Sequence, residues 1–373
     1  MSVWDDVWGQ RAAIDLLKAD IASGRVGHAY LFSGGAGRLP ARAAMAFASA
    51  LLCPDGGCGT CETCLRVAHQ AHPDVELIEP AGVQLLVEQV RDAVRTAWRQ
   101  PVSGTRRLIV VAGADRMNPN AQNAFLKALE EPPASTVIVL LAAGADQLLE
   151  TVRSRCREVP FRAPSPDEIA QALGAQGLDD AAASHLARIS GTLERAQALA
   201  AEPDLAQARD ELVDRVLEPT PDPGAALEVA EWLLGRARGV RDRVADEHKA
   251  TMEEYADWYQ EAKGLADQRL RREQRRAEQD ALEAALDDIS SVLRDLAALA
   301  GGGAPPLVNE TIGPRLQRRA SELGPASIPR LLTCLGDVEQ ARRRLRLNAN
   351  VQLALEQVFL SVFEHLRPAA AAS

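Results

Sequence analysis

Aromatic side chains are scarce, 4% of the 373 residues, and nowhere does the chain hold the roughly 18 consecutive apolar residues of a membrane-crossing helix. The second absence argues against a membrane partner. The first, beside 47% hydrophobic content rich in Ala and Leu, points to a helix-rich soluble chain. Positive charge is in deficit too: 42 Lys and Arg against 52 Asp and Glu give a formal charge of −10 and a pI near 5.3. Such a balance excludes a chain that coats DNA unaided, so any nucleic-acid contact is expected to be local or shared with partners. The opening Met1-Ser2-Val3-Trp4-Asp5-Asp6 lacks a basic stretch followed by an apolar core, which leads to a cytoplasmic expectation. No internal repeat is visible, and the length suits two or three domains.

What is present begins with a glycine-rich turn. His28 to Phe32 reads as a buried strand and Ala41 to Leu52 as a helix, with Ser33-Gly34-Gly35-Ala36-Gly37 between them. Strand, glycine turn and helix form the setting of a phosphate-binding loop. Laid on G-x-x-x-x-G-K-[ST] from Gly34, the second glycine falls on Leu39, the lysine on Pro40 and the hydroxyl residue on Ala41. Pro40 removes both a cation and a backbone donor, and Ala41 offers no oxygen to magnesium. The later strand Leu108 to Ala112 runs into Gly113 and Ala114 with no carboxylate at its end. Asp115 comes too late and reads as the cap of the next segment. The strand Ser135 to Ala142 likewise ends without a polar side chain that would sense a γ-phosphate.

Six cysteines occur, four of them within twelve residues: Cys53, Cys58, Cys61 and Cys64, spaced C-x4-C-x2-C-x2-C among glycines. Four thiolates on such a turn can close a tetrahedral structural Zn2+ site, and none is left over to free a position for a metal-bound water. His69 and His72 are the competing ligands, although His72-Pro73-Asp74 looks like a turn into the strand Val75 to Ile78. Cys334 reads as a small core residue. Two readings stand for Trp4 and Trp8: packing of an N-terminal arm, or a purine-facing wall near the glycine turn.

Strands alternate with helices up to Phe161: a helix over Val83 to Trp98, another over Met117 to Glu131, and a last short strand at Glu158 to Phe161. That alternation predicts a doubly wound parallel α/β domain. Gly9-Gln10, His28-Ala29-Tyr30-Leu31-Phe32, the four cysteines, His72-Pro73-Asp74, Asn123 to Leu129 with Glu130-Glu131-Pro132-Pro133, and Ser154-Arg155-Cys156 occur in that order. Together they resemble the bacterial clamp-loader branch of the AAA+ ATPases, the loader of DNA polymerase III. The resemblance is detailed over residues 1 to about 162 and beyond them rests on length and helicity.

The resemblance implies an α/β plus all-α architecture: an AAA+-like sheet domain with a zinc insertion, a small helical lid and a C-terminal helical collar. The boundaries read as 1–163 with the insertion at 53–64, then 164–218, then 219–368, with a disordered tail at 369–373. The family's ATP-hydrolysing gamma/tau subunits carry a complete phosphate loop and an Asp-Glu strand end. This chain departs from them at Leu39, Pro40, Ala41, Ala112 and Gly113, so no ATP hydrolysis of its own is expected. In the family, the arginine of Ser-Arg-Cys reaches across a subunit interface toward a neighbour's γ-phosphate. By that likeness Arg155 is the catalytic arginine in trans, Ser154 and Cys156 shape its turn, and Arg153 and Arg157 compete for the role. The implied partners are gamma/tau and delta subunits in a hetero-oligomer, the sliding clamp and primer-template DNA. The rival readings are an ATP-hydrolysing gamma/tau-type motor and a zinc-dependent nucleic-acid adaptor.

The helical remainder opens at Ala163-Pro164-Ser165-Pro166. Asp167 to Leu173, Ala181 to Ile189 and Leu193 to Ala201 read as short lid helices. Arg195 resembles a lid sensor arginine, but a packing or salt-bridge role suits it better with no phosphate loop beneath. Pro219 to Pro223 is a second linker. The charged segment from about Val240 to Ala300 would extend about 90 Å as one helix, so a hairpin or projecting arm is expected. Its basic run, Arg269 to Arg276, reads either as a solvated face paired with Glu273 and Glu278 or as a contact to DNA phosphates. Leu353, Val358, Leu360 and Phe363 are expected to form an apolar stripe for assembly.

Overall fold

A computed structural model describes residues 2–35, 37–80, 84–220, 222–254, 263–304, 306–347 and 350–366, without the side chains of 252–254, 263–269 and 346. Val83 and the tail 369–373 lie outside the described residues. The chain divides into two compact units, Met1–Pro164 and Ser165–Ser373.

The first unit is built on five parallel strands: β1 Ala29–Ser33, β2 Val75–Ile78, β3 Arg107–Val111, β4 Thr136–Ala142 and β5 Arg157–Pro160. Their order is β2-β3-β4-β1-β5. β1, β3 and β4 are buried along their whole length, as strands covered on both faces must be. Side chains alternate between two cores. Tyr30, Phe32, Leu108, Val110 and Val139 face helices α1 (Arg11–Ala22) and α2 (Leu39–Leu52), where Phe47 packs edge-on against Tyr30. Leu31, Ile109, Ile138 and Leu140 face α4 (Val87–Ala97) and α5 (Pro119–Glu130), around Phe125. Between α2 and β2 the chain makes the cysteine turn and a short helix, α3 (Glu62–Ala68). Trp4 is buried in the α1–α2 core with the Lys18 ammonium 5.7 Å from its ring, which favours the packing reading.

Asp115 does not cap α5. Gly113, in the left-handed region at φ 65°, turns the chain into a 3-10 segment, Ala114–Arg116, that contains Asp115. Asn118 takes the capping role, its side chain accepting from the Ala121 N–H.

Asp74 fixes the turn before β3. It is fully buried, and its carboxylate accepts from the backbone N–H groups of Val102 (2.6 Å), Ser103 (2.8 Å) and Gly104 (2.8 Å), with Arg107 at 3.3 Å. Burial pushes this carboxyl up, but the three N–H donors outweigh it and hold it below the usual range.

The second unit is helical. It comprises α7 (Pro166–Ala175), α8 (Asp180–Ser190), α9 (Leu193–Ala201), α10 (Pro203–Leu217), α11 (Pro223–Glu254), α12 (Lys263–Ala300), α13 (Gly313–Leu323), α14 (Ile328–Arg346) and α15 (Val351–His365). Helix α7 starts with a full capping box, Ser165 and Glu168 exchanging hydrogen bonds. The long charged segment is a hairpin: Arg241 of α11 lies 3.7 Å from Glu278 of α12, and His248 lies 3.8 Å from Glu273. Those two contacts run in opposite directions along the chain, so the helices are antiparallel. The core of this unit ends at Ala237 and Leu282, and no described side chain in 238–251 or 270–281 is buried. The four residues expected to form one apolar stripe divide between core and surface. Val358 and Phe363 are in the core, while Leu353 and Leu360 are exposed. Positions 353 and 360 are seven apart and so lie nearly in line along the exposed side of the helix. Among the described residues no helix is long and apolar enough to cross a membrane.

Replacing Asp74 by Ala is expected to cost about 3–5 kcal/mol, because Arg107 and three N–H groups lose their buried partner. Asp74 is depressed in the folded state. Its contribution is therefore complete above the ordinary aspartate pKa of about 3.9 and fades as pH falls through the lower folded value. Urea denaturation of both proteins at pH 7 and at progressively lower pH should show the difference shrinking toward acid.

Candidate functional site

The start of the glycine turn after β1 is bonded into the sheet. The Gly34 N–H donates to the Ala142 carbonyl (3.0 Å), and the Phe161 N–H donates to the Ser33 carbonyl (2.6 Å). Pairing therefore continues past the end of β1 on both sides, and the Gly34 donor is spent inside the sheet. Gly34 has φ 130°, and a Cβ there would lie 1.9 Å from the Phe161 oxygen, so only glycine fits. Ser33 Oγ donates to Glu158 (2.6 Å). Leu39 and Pro40, at the two key motif positions, are both buried at the start of α2. Gln10 is tied to the backbone of Arg162, donating to its carbonyl at 2.9 Å and accepting its N–H at 3.2 Å.

The four cysteines come together. Their sulfur atoms all lie within 4.8 Å of one another, with Cys53 at 3.8 Å from Cys58 and 3.6 Å from Cys61. Sulfurs at the corners of a tetrahedron around zinc, each about 2.3 Å from the metal, are about 3.8 Å apart, so the residues fit that ion. The N–H of Cys61 points at the Cys58 sulfur (3.4 Å), and that of Cys64 at the Cys61 sulfur (3.5 Å). Backbone donors from Thr60 and Cys61 pull the Cys58 thiol down to about 6, so it is chiefly thiolate at neutral pH. His72 is not gathered with the sulfurs: its Nδ1 accepts the Asp74 N–H (3.1 Å), and burial lowers its pKa. The cysteine turn rests on the N-terminal arm, the Val3 N–H donating to the Gly57 carbonyl.

Ser154-Arg155-Cys156 follows a one-turn helix, α6 (Glu150–Arg153), that is carried by α5. Near the start of α5, Gln122 accepts the Leu149 N–H (2.6 Å) and donates to the Gln147 and Met117 carbonyls, which fixes where α6 begins. Val152 is fully buried against the same side of the sheet. The Arg155 N–H then closes onto the Val152 carbonyl, and that of Cys156 onto Arg153. Arg155 emerges 35% exposed, its guanidinium donating to the Thr151 carbonyl and to Glu130 Oε1, both at 2.8 Å. Ser154 Oγ turns back to the Thr151 carbonyl (3.4 Å). Burial pushes the Cys156 thiol up to about 12, which makes it a packing group rather than a reactive one.

The neighbouring arginines differ. Arg157 belongs to β5 and pairs with buried Asp20 at 2.5 Å, in a network that includes the Tyr30 hydroxyl. Arg153 lies beside Glu150 at 3.4 Å within α6. Arg195 of the second unit is committed to a buried carboxylate, Asp288, at 2.5 Å, which Arg209 shares at 3.1 Å. Glu130 is the residue that reading by motif misses. It lies in the Leu-Glu-Glu-Pro-Pro run, but nothing local says that its partner is 25 residues downstream.

Residues 9–165 match the family model described as DNA polymerase III, delta subunit. That match covers less than half of the chain. The DNA polymerase III subunit delta' of Bacillus subtilis is 28% identical over 207 residues, covering 55% of this chain and 63% of that protein. Its counterpart in Pseudomonas aeruginosa is 34% identical over 156 residues, 39% of this chain and 48% of that protein. The DNA polymerase III subunit gamma/tau of Mycobacterium tuberculosis is 30% identical over 166 residues, 43% of this chain and 29% of that protein. The chain thus spans less than two thirds of the length of each of these relatives.

The cysteine cluster yields a direct test. Purified protein is expected to carry about one equivalent of zinc, and Cys58→Ala to lose it with a lower thermal midpoint, since bound metal is coupled to folding. Elemental analysis beside thermal denaturation reads both. Folded, metal-free wild-type protein contradicts the assignment.

Proposed function

We propose that this chain is a delta-prime-type subunit of the DNA polymerase III clamp loader that does not hydrolyse ATP and serves as a fixed end piece, or stator. In this reading it assembles with gamma/tau and delta subunits, and the loader places the sliding clamp on primer-template DNA. The four cysteines hold one structural zinc, and Arg155 acts on the nucleotide of a neighbouring subunit.

Both delta' and gamma/tau proteins are similar to this chain, at 28% and 34% identity for the former and 30% for the latter, so overall similarity does not choose between the two roles. The glycine turn favours the first. A triphosphate needs free backbone donors, a lysine and a magnesium-binding oxygen. Here the Gly34 donor is taken by Ala142, and the two motif positions are the buried Leu39 and Pro40. The observation that carries the proposal is that turn, with its first donor spent and its motif positions buried. Arg155 is assigned the role by the Ser154-Arg155-Cys156 resemblance, since Arg153 and Arg157 are no less exposed, while Arg195 is held by a buried carboxylate.

A planar guanidinium beside a transferring phosphoryl group offsets the charge that spreads over its oxygens, and arginines in such positions in GTPases contribute about 10³–10⁵ in rate. Arg155 would supply that group in trans. α5 and buried Val152 support it by fixing the turn before any partner arrives, so less ordering is left to the moment of reaction.

In a loader reconstituted with gamma/tau and delta subunits, Arg155→Ala is expected to lower clamp- and DNA-stimulated ATP turnover at least about tenfold with assembly intact. The isolated chain should neither retain ATP in equilibrium binding nor hydrolyse it. Normal turnover by the assembled variant, or hydrolysis by the isolated protein, overturns the proposal.

A further inference from the structure

The partner of Arg155 is placed against the local rules of helix electrostatics. Glu130 is the last residue of α5 and is followed by Glu131 and two prolines that end the helix. A carboxylate there faces the negative end of the helix dipole, and Lys127 is the basic residue in that last turn. Glu130 has no need of this position for folding, since it is 51% exposed and outside the core. Its companion is the guanidinium of Arg155. One terminal nitrogen of Arg155 is directed to Glu130 and the other to the Thr151 carbonyl. The fork that would grip a phosphate is turned onto its own chain.

We infer that Glu130 is a latch carboxylate that holds Arg155 in place while no neighbouring nucleotide is engaged and yields it to the γ-phosphate when one arrives. This inference deepens the proposed function and rests on it. A carboxylate and a phosphate oxygen ask for the same N–H donors, and the phosphate brings the greater charge. The hold is weak because the pair is partly solvated, and exposed ion pairs of this kind shift equilibria by only a few-fold. A weak hold suits a latch: it keeps a long side chain ordered near its point of use and opens without a large barrier. Thr151 acts differently, because its carbonyl is uncharged and remains compatible with a guanidinium bonded to phosphate at its other edge. The exchange forms and breaks hydrogen bonds only, with no proton or covalent bond transferred.

Glu130→Gln isolates the charge. Gln keeps the shape, and removing a negative charge at a helix C-terminus does not threaten folding. In the isolated full-length chain, phenylglyoxal modification of Arg155, followed by mass spectrometry, is expected to run about two- to fivefold faster in Glu130→Gln. The wild-type rate should rise with salt toward that of the variant, as screening loosens the pair. In the reconstituted loader the variant is expected to lower the ATP concentration for half-maximal turnover by about two- to fivefold, with the maximal rate unchanged. In an Arg155→Ala background Glu130→Gln should be silent.

Unchanged labelling overturns the latch whatever the fate of the functional reading. A fall in maximal turnover overturns it also, because Glu130 would then be orienting Arg155 for the reaction rather than withholding it. An unchanged half-saturating concentration, beside a clear Arg155→Ala defect, overturns the hand-over alone. Full turnover by Arg155→Ala overturns the functional reading and the latch together.

Discussion

The hydrogen-bond ladder of β1 does not stop where the strand does. It runs on through Ser33 and Gly34, joined to Ala142 on one side and Phe161 on the other. A backbone N–H has one hydrogen to give, and one satisfied inside a sheet cannot also face a ligand. The glycine at the first motif position is a packing residue here, required because the Phe161 carbonyl leaves no space for a side chain. Leu39 and Pro40 start α2 as a buried, proline-led helix with its apolar side on the sheet. The strand, glycine turn and helix persist in order, with the Gly34 donor and the Leu39 and Pro40 side chains engaged in holding the domain together.

Buried ions perform a related service in each unit. Asp74 gathers the N–H groups of a turn that would otherwise be left unpaired, and Arg107 balances its charge from the start of β3. In the helical unit, Asp288 of α12 accepts Arg195 from α9 and Arg209 from α10, and Arg209 continues to Asn309 at 2.6 Å. Asn309 in turn is bonded through its backbone and side chain to Asp295. Such networks are stabilising only while complete, because any member left alone is a buried charge or polar group without a partner. Their geometry ties three helices and a connecting segment at fixed relative positions.

Much of this was legible in the chain itself. The parallel sheet follows from continuous apolar runs such as Leu108 to Val111 and Val137 to Leu141, which no half-exposed strand would carry. The cysteine cluster follows from spacing alone, because short glycine-rich loops leave the thiols few other arrangements. Local rules failed where one residue outcompeted a neighbour for the same job, as Asn118 did over Asp115 once Gly113 had turned the chain. Helix α13 is hard to read from periodicity, since only Leu316, Ala320 and Leu323 mark its apolar side among charged residues. Long-range pairs, Arg155 with Glu130 and Arg195 with Asp288, carry no sequence signal at all. Charge makes them possible, but only the fold selects which carboxylate is near.

The paired helices that leave the helical core at Ala237 and Leu282 have a separate significance. No described side chain beyond those points is buried, so the outer parts of the two helices add nothing to the core, although Arg243 still reaches Glu202 at 3.8 Å. Their length is therefore free to change. Seven residues added to or removed from each helix in its exposed part would keep both in phase and change the length of each by about 10 Å, with the buried contacts untouched. A protein built this way can change the length of its exposed helices without renegotiating how its core folds.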